Sequence, residues 1–484
     1  MTRHQRYDNL IDGQWVSGGG YTSNVNPSDT SEVIGEYARA DAVQAEQAIA
    51  AARAAFPSWS RSTPLVRHDI LAKASQEIMA RREELGRLLA REEGKTLPEG
   101  IGEVSRAAQV LSFFAGEALR VGGERLAGLV AGSDAEVTRE PLGTVGIISP
   151  WNFPIAIPAW KIAPALAFGN TVVFKPAELV PGSAWELVAI LHRAGLPRGV
   201  LNLVMGSGSQ IGAVLTAHPQ VDAISFTGSV PTGRRIAASC VAGPVMKRMQ
   251  LEMGGKNPLV VLDDADLDVA VECAVNGAFI STGQRCTATS RFIVTEGIHD
   301  RFVDAVAARL QALQVGHALA PESHIGPVVD ERQLETDLSY IAIGHEEGAT
   351  LRWGGQRLDR PTPGFYLQPA LFTDVTPSMR IAREEIFGPV AAVVRVKDYD
   401  EALTIANDTQ FGLSTGICTT SLRYATHFKR NAEAGIVKVN QSTSGLDFHL
   451  PFGGRKGSSY GPREQGRYAA EFYTVVKTAY TSAA

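Results

Sequence analysis

The fold of this chain is decided by the stretch Leu251-Glu252-Met253-Gly254-Gly255-Lys256-Asn257-Pro258, which leads on to Gly283-Gln284-Arg285-Cys286-Thr287. Between the two motifs, an apolar run at 259–262 predicts a buried strand, and the periodicity of residues 267–280 predicts a helix. A strand followed by a helix can return its outer ends to one place, so Glu252 and Cys286 are predicted to meet as base and nucleophile. Considered alone, such a pair is more often a surface glutamate and an inert buried cysteine.

The composition is that of a soluble globular protein with more than one domain. The chain has 484 residues, with 44% hydrophobic and 20% charged residues and a formal net charge of −5. This length predicts two or three domains, and the charge offers no basic face to nucleic acid or to an anionic membrane. The first residues, 1–9, are polar and lack the apolar core of a signal peptide, and no apolar run reaches about 18 residues. The four cysteines are scattered, which argues against disulfides and a metal site and favours a cytoplasmic protein.

The middle of the chain repeats a strand–helix unit. Buried-type strands are predicted at 144–148, 171–174, 201–204 and 223–226, each followed by a helix or a glycine-containing loop. This alternation predicts an α/β fold with a parallel, doubly wound sheet that binds ligands at the carboxyl ends of its strands. Residues 122–143 instead predict a β-hairpin, and residues 473–478 a closing strand.

The loops after these strands carry polar residues that could bind a ligand. Asn152 lies between two prolines and could donate its amide to an oxyanion, although an ordinary loop asparagine is as good an explanation. Lys175 and Glu178 could bind ribose hydroxyls or could simply begin a helix. Gly228 and Gly233 have the spacing of a phosphate-binding loop, but a plain turn explains them equally well.

Together, these motifs resemble those of the NAD(P)-dependent aldehyde dehydrogenase superfamily. The matching motifs occur in the family's order and cover nearly the whole chain: Pro150-Trp151-Asn152-Phe153-Pro154, Lys175-Pro176-Ala177-Glu178, Phe226-Thr227-Gly228-Ser229, Leu251-Glu252-Met253-Gly254-Gly255, Gly283-Gln284-Arg285-Cys286, Glu385-Ile386-Phe387-Gly388-Pro389 and Pro451-Phe452-Gly453-Gly454. The resemblance implies a Rossmann-like cofactor domain (1–121 and 141–252), an α/β catalytic domain (253–452) and a β bridging or oligomerisation element (122–140 and 453–484). It also implies a homo-oligomer, with a tetramer built from dimers favoured.

The resemblance assigns catalytic roles to five residues. Cys286 would be the nucleophile that forms a thiohemiacetal and then a thioester, and Asn152 would hold the oxyanion. Glu252 would activate the hydrolytic water, with Lys161 and Glu464 relaying its proton. No metal is needed. The resemblance implies NAD or NADP as cofactor, and the charge of Glu178 points to NAD without excluding NADP. The implied cofactor contacts are Ser149, Pro150, Trp151, Asn152, Lys175, Glu178, Gly208, Phe226, Gly228, Ser229, Leu251, Glu252, Gly254, Cys286, Glu385 and Phe387.

The predicted substrate is a small aldehyde that carries a carboxylate. Arg285 precedes the nucleophile directly, and the ending from Asp447 to Gly466 resembles bacterial members that oxidise 2,5-dioxopentanoate (α-ketoglutaric semialdehyde). Arg285 could bind the carboxylate with two parallel hydrogen bonds, or it could form a structural salt bridge. The other predicted substrate contacts are Phe153, Gly445, Leu446 and Phe452.

Other functions remain open at this point. Succinic semialdehyde or an uncharged aldehyde would suit the same chemistry. A CoA-acylating dehydrogenase or another thiol acyltransferase would not need the base at Glu252, and a cysteine hydrolase would need a histidine beside Cys286. A non-catalytic protein on this fold would not need Cys286, Glu252 and Asn152 together.

Overall fold

The computed structural model describes residues 4–482. The strands, in chain order, are β1 Arg6–Tyr7, β2 Asn9–Ile11, β3 Gln14–Val16, β4 Gly20–Asn26, β5 Asp29–Arg39, β6 Glu124–Ala127, β7 Ser133–Pro141, β8 Thr144–Ile148, β9 Thr171–Lys175, β10 Leu201–Leu203, β11 Ala223–Thr227, β12 Arg248–Glu252, β13 Asn257–Val261, β14 Thr289–Thr295, β15 Thr350–Trp353, β16 Ala370–Thr373, β17 Val390–Val396, β18 Ser414–Cys418, β19 Ile436–Val439, β20 Ser459–Tyr460 and β21 Thr474–Ser482.

The helices alternate with these strands through most of the chain. They are α1 Ala42–Trp59, α2 Pro64–Ala80, α3 Arg82–Glu93, α4 Leu97–Ala118, α5 Ala156–Ala167, α6 Pro181–Arg193, α7 Ala213–Ala217, α8 Val230–Ala242, α9 Leu267–Ala278, α10 Glu296–Gln311, α11 Glu331–Glu346, α12 Arg380–Arg383, α13 Tyr399–Asn407, α14 Leu422–Asn431 and α15 Ala470–Tyr473. Of the helices in residues 4–482, none is long and apolar enough to cross a membrane.

The first large sheet is doubly wound. Its eight strands lie in the order β20-β12-β11-β8-β9-β10-β2-β3, and the strands from β12 to β10 are parallel. The chain runs from β8 through β9 to β10 on one side and then returns to β11 and β12 on the other. The switch point therefore lies between β8 and β11, where a ligand crevice opens at the carboxyl ends of the strands. Residues of β8, β9 and β11 are buried throughout, as expected for parallel strands covered by helices on both faces.

The second large sheet has seven strands in the order β15-β16-β17-β14-β13-β18-β19. All of its pairings are parallel except that of the edge strand β15. Only residues 253–256 separate β12 of the first sheet from β13 of the second. The carboxyl edge of the first sheet is thereby joined to the amino edge of the second.

A third sheet joins distant parts of the chain in the order β21-β7-β6. Strand β21 pairs antiparallel with β7 from Thr474↔Pro141 to Ser482↔Ser133. Within the segment 453–484, which was predicted to belong wholly to a bridging element, β20 instead pairs with β12 of the first sheet. The three sheets and their covering helices confirm the predicted α/β class.

One helix begins earlier than the sequence pattern predicts. Apolar residues at helical spacing predict a helix from about Ile101 to Leu119, but α4 begins at Leu97. The Glu99 carboxylate accepts a hydrogen bond from the backbone N–H of Thr96 at 3.0 Å, completing a capping box, and Pro98 is tolerated in the first turn.

Candidate active site

Cys286 lies in the loop that links α9 to β14. Helix α9 ends at Ala278, and a tight turn, Ile280–Gly283, follows, in which Ser281, Thr282 and Gly283 all have positive φ. The turn redirects the chain toward the first sheet, and Cys286 is left half-buried there. The Asn257 side chain donates hydrogen bonds to the carbonyls of Cys286 and Ala288, both at 2.8 Å, which ties the loop to the start of β13.

The thiol of Cys286 is neutral in the free protein. Burial raises its pKa to about 12, and the carboxylates of Glu385 and Glu252 contribute in the same direction. The backbone N–H groups of Thr287 and Cys286 oppose this shift. Because the thiolate is the nucleophile, the site needs a base to remove the proton or a positive charge to hold the anion.

Glu252 is the candidate general base of this site. It is the last residue of β12 and is buried, and its Oε2 accepts a hydrogen bond from the Ser459 hydroxyl. Burial raises the pKa of this carboxyl well above its ordinary value, and the nearby charge of Glu464 adds to the shift. A carboxylate with a raised pKa is a better general base near neutral pH than an exposed one.

Lys161 and Glu464 form a fully buried ion pair behind Glu252. The Lys161 ammonium also donates to the Ser225 hydroxyl at 3.0 Å, and the indole of Trp160 donates to the other oxygen of Glu464. Every polar atom of the Glu464 carboxylate therefore has a partner, as a buried charge requires. The charges of both residues act on the carboxyl of Glu252, Glu464 raising its pKa and Lys161 lowering it.

Asn152 approaches Cys286 from the loop after β8. Its side chain is buried, and its Nδ2 donates to the carbonyl of Gln284 at 3.0 Å. Asn152 and Cys286 line the same cavity of about 280 Å³. The amide is thus held beside the nucleophile, where a developing oxyanion would form.

Two adjoining cavities at the switch point bring together most of the predicted cofactor contacts. The larger, of about 750 Å³, is lined by residues that include Ser149, Pro150, Trp151, Lys175, Glu178, Gly208, Phe226, Gly228 and Ser229. The smaller, which contains Cys286, shares Pro150, Trp151, Gly228 and Ser229 with it and adds Gly254, Glu385 and Phe387. The hydroxyls of Ser149 and Thr227 are buried there without a hydrogen-bond partner in residues 4–482, as expected of a cleft shaped for a polar ligand.

The inner end of this cleft is formed by Glu385 and Phe387. Glu385 Oε1 accepts from the backbone N–H of Gly255 at 2.8 Å, and burial raises the pKa of this carboxyl to about 7. A Cβ at Gly254 would overlap the Glu385 carboxylate, so a larger residue there would displace that carboxylate. Phe387 has a φ of +67° and stands edge-on to Trp151, with ring centroids 5.4 Å apart. Such a backbone conformation is typical of functional sites.

The outer end of the cleft carries one exposed and one buried charge. Lys175 ends β9, and burial lowers its pKa while nearby Glu178 opposes that shift. Glu178 itself is exposed. Leu251, by contrast, packs into the hydrophobic core, so only its backbone can contact a ligand.

A third cavity opens on the other side of Cys286. It has a volume of about 310 Å³ and brings together all of the predicted substrate contacts: Phe153, Arg285, Gly445, Leu446 and Phe452. Arg285 nevertheless points its Nη2 away from the open space, toward the carbonyls of Asn276 and Gly277 at the end of α9. The predicted alternative for Arg285, a structural salt bridge, is not found within residues 4–482, where the acceptors of its Nη2 are these backbone carbonyls.

Several lining residues of this third cavity were not identified from the sequence. Glu99, Gly102, Glu103 and Arg106 come from one face of α4, and Lys95, Trp160 and Gln465 complete the wall. The spacing of the four α4 residues, i, i+3, i+4 and i+7, would have shown that they share a helix face. No spacing in the sequence identifies Ser459, the hydrogen-bond partner of Glu252. The pairing of β12 with β20 brings Ser459 next to Glu252.

Comparisons with known proteins agree over the full chain. A model of the aldehyde dehydrogenase family matches residues 15–479. An α-ketoglutaric semialdehyde dehydrogenase of Bacillus subtilis is 43% identical, with 99% of each chain covered. Among solved structures, a betaine aldehyde dehydrogenase from Staphylococcus aureus in complex with NAD+ is 35% identical, with a TM-score of 0.96 and 99% and 95% of the two chains covered. An E. coli NADP-dependent enzyme is 36% identical, with a TM-score of 0.95 and 99% and 98% covered.

Proposed function

Because this chain belongs to the aldehyde dehydrogenase family, we propose that it oxidises 2,5-dioxopentanoate, a semialdehyde that carries a carboxylate, to the corresponding dicarboxylic acid. The chain is an NAD(P)-dependent oxidoreductase that acts on aldehydes, as the sequence predicted. The substrate is supported by the Bacillus subtilis relative of that name and by the third cavity. The observation that carries the proposal is that cationic side chains, Lys95, Arg106 and Arg285, line the cavity into which Cys286 opens.

The first chemical step uses the thiol of Cys286. The thiol of Cys286 loses its proton to solvent, and the thiolate sulfur adds to the aldehyde carbon to give a thiohemiacetal. The Asn152 amide and the Cys286 backbone N–H hold the oxyanion; loss of one such donor typically costs about 3–4 kcal/mol of transition-state stabilisation. The residues of the cleft at the switch point would hold NAD or NADP, which would supply a hydride acceptor there, and Cys286 would hold the oxidised carbon as a thioester.

The second step releases the acid. Glu252 removes a proton from the water that attacks the thioester carbon, and the thiol of Cys286 leaves. Lys161 and Glu464 pass that proton onward from the buried carboxyl. The exposed Glu178 at the outer end of the cleft disfavours a 2′-phosphate by like-charge repulsion, so NAD is the preferred cofactor.

We also propose that the protein is a cytoplasmic homotetramer, a dimer of dimers. The sheet β21-β7-β6 supports this assembly, since it exposes the apolar side chains of Leu126, Val476 and Tyr480. Burying these three apolar side chains against another subunit removes their surface from water, which favours association.

The substrate assignment is tested with a panel of aldehydes. The formation of NADH is followed by its absorbance at about 340 nm. The substrates are 2,5-dioxopentanoate, succinic semialdehyde, pentanal and betaine aldehyde, each with and without CoA. We expect the highest kcat/KM with 2,5-dioxopentanoate and no dependence on CoA. A preference for pentanal or betaine aldehyde would refute the substrate, and a requirement for CoA would indicate an acylating enzyme. Cys286→Ala is the control that should abolish turnover.

A further inference from the structure

The arginine that reaches into the third cavity is Arg106, not the residue beside the nucleophile. Arg106 lies on the face of α4 that lines the cavity. Its Nη2 donates to Gln465 Oε1 at 3.0 Å, and this neutral amide is the hydrogen-bond partner that its guanidinium has within residues 4–482. A guanidinium has five N–H donors, so most of the donors of Arg106 are available to a ligand.

The ammonium of Lys95 is already engaged, and Arg285 is engaged through its Nη2, while its Nε is buried without a hydrogen-bond partner in residues 4–482. The ammonium of Lys95 pairs with Glu103 at 2.9 Å and lies 3.8 Å from the ring centroid of Phe153. The Nη2 of Arg285 is held by two carbonyls at the end of α9. Cations are favoured at a helix carboxyl end, so this position suits Arg285 as part of the scaffold.

The carboxylates of the cavity wall do not compete for Arg106. Glu103 Oε1 accepts from the backbone N–H groups of Ile155 and Ala156, at 3.1 and 3.2 Å, while its other oxygen binds Lys95. Glu99 accepts from the Ser281 hydroxyl at 2.6 Å and caps the start of α4. Neither carboxylate accepts a hydrogen bond from Arg106, although the charges of Asp447 and Glu103 lie close enough to favour its guanidinium.

Gln465 provides a second donor beside Arg106. Its side chain is fully buried, and its Nε2 has no hydrogen-bond partner among the described residues. Its φ of +58° is unusual for a residue with a side chain. A buried amide N–H left without a partner is costly unless a ligand or water completes it, and Gln465 lines the cavity.

We propose that Arg106 and Gln465 together recognise the 2-oxo acid end of the substrate. The guanidinium of Arg106 binds the carboxylate by two parallel N–H···O bonds, and the Nε2 of Gln465 donates to the 2-oxo oxygen. Gln465 Oε1 holds the guanidinium in the orientation that this requires. The inference rests on the proposed oxidation of 2,5-dioxopentanoate and assigns its specificity to residues far from the nucleophile in sequence.

The test compares kcat/KM for three aldehydes of equal carbon length: 2,5-dioxopentanoate, 5-oxopentanoate, which lacks the 2-oxo group, and pentanal, which lacks both groups. Arg106→Met should lower kcat/KM for both acids by roughly 10- to 150-fold, because a charge-assisted hydrogen bond is lost, and leave pentanal within about threefold. Gln465→Met should lower the ratio of 2,5-dioxopentanoate to 5-oxopentanoate by about 2- to 12-fold, as expected for a neutral hydrogen bond. Arg120→Met, an exposed arginine on the loop just after α4, is the matched control and should change none of these ratios.

The outcomes separate this inference from the proposed function. If the wild-type enzyme does not prefer the two acids to pentanal, both the substrate and the inference are overturned. If it does prefer them, and Arg106→Met retains the preference or Arg285→Met alone removes it, only the inference is overturned. Arg106→Lys keeps the charge but not the fork, so it should lose part of the preference; this variant carries the test if Arg106→Met does not fold.

Discussion

At the scale of single residues, Cys286 is surrounded by negative charge. Two carboxylates raise the pKa of its thiol. Glu385 lies in the cofactor cleft, and Glu252 belongs to the first sheet. In the free protein the thiol of Cys286 therefore stays protonated. The thiolate forms once bound ligands and proton transfer change the charge around the sulfur.

We predict that Glu385→Gln makes Cys286 more reactive in the free protein. The charge of Glu385 raises the pKa of the thiol, so its removal lowers that pKa and increases the thiolate fraction at pH 8 to 9. The rate of alkylation by iodoacetamide, measured against pH without cofactor, should rise at every pH in this window. Glu384→Gln is the matched control, since Glu384 pairs with Arg380 on the surface. An unchanged alkylation rate in Glu385→Gln would show that its charge does not reach the thiol.

We predict that Glu252→Gln stalls at the thioester. Glutamine cannot accept a proton from water, so up to about one NADH per active subunit should form in a burst and turnover should then nearly stop. Rapid-mixing absorbance measures the burst, and mass spectrometry of the quenched protein should find the acyl group on Cys286. Slow turnover without a burst would instead place Glu252 at the removal of the thiol proton.

The residues proposed to carry the chemistry could be singled out from the sequence because each stands in a short contiguous motif. Cys286, Glu252 and Asn152 were all identified in this way. The residues that position them could not, because their partners come from remote segments: Ser459 reaches Glu252 through the β12–β20 pairing, and Gln465 reaches Arg106 across 359 positions. The role of Arg285 depends on which way its side chain turns, which a motif does not specify.

At the scale of elements, the turn after α9 decides where the nucleophile points. A helix was predicted through Ile280, but it ends at Ala278 and three consecutive residues with positive φ follow. Two of them are not glycines and are held by side-chain hydrogen bonds: Ser281 to Glu99, and Thr282 to the carbonyl of Gly326. Apolar periodicity continues across this point, so it could not reveal the turn.

We predict that Gly283→Ala is much more damaging than Gly132→Ala, although both glycines have a positive φ. Gly283 has a φ of +65°, and a Cβ there would overlap the carbonyl of Gly388. Gly132 has a φ of +79° but open space around it, so Gly132→Ala carries only the conformational cost, of about 1 kcal/mol. Thermal unfolding and turnover should be little changed in Gly132→Ala, while Gly283→Ala should lower both Tm and kcat. Equal effects would mean that the clash relaxes freely.

At the scale of the whole molecule, the alternation of strands and helices could be predicted from the sequence. The strands that complete the edges of the first sheet could not. The α/β class and a parallel, doubly wound sheet were predicted from repeated units of strand and helix. The placement of β2 and β3 at one edge of the first sheet and of β20 at the other was not, since short strands far apart in sequence leave no periodic signal. Edges of this kind are specified by tertiary packing.

We predict that a charge on the exposed face of β21 dissociates the proposed tetramer. Val476 is 60% exposed on the third sheet, so Val476→Asp should disfavour burial of that face against another subunit. Light scattering coupled to size exclusion should then report a smaller species. Val43→Asp, at a 58% exposed position on α1, is the matched control and should leave the mass unchanged. A wild-type mass of one chain would refute the tetramer itself.

The buried pair of Lys161 and Glu464 also constrains the order in which the protein can mature during synthesis. The two residues are 303 positions apart, so the ribosome completes α5 long before it adds the carboxylate that α5 requires. Burying an ammonium without its partner costs several kcal/mol, and the growing chain therefore has reason to leave α5 undocked until then. We therefore expect the first sheet to close only after residue 464 has been translated, and a nascent chain arrested earlier to hold Cys286 without the buried ion pair.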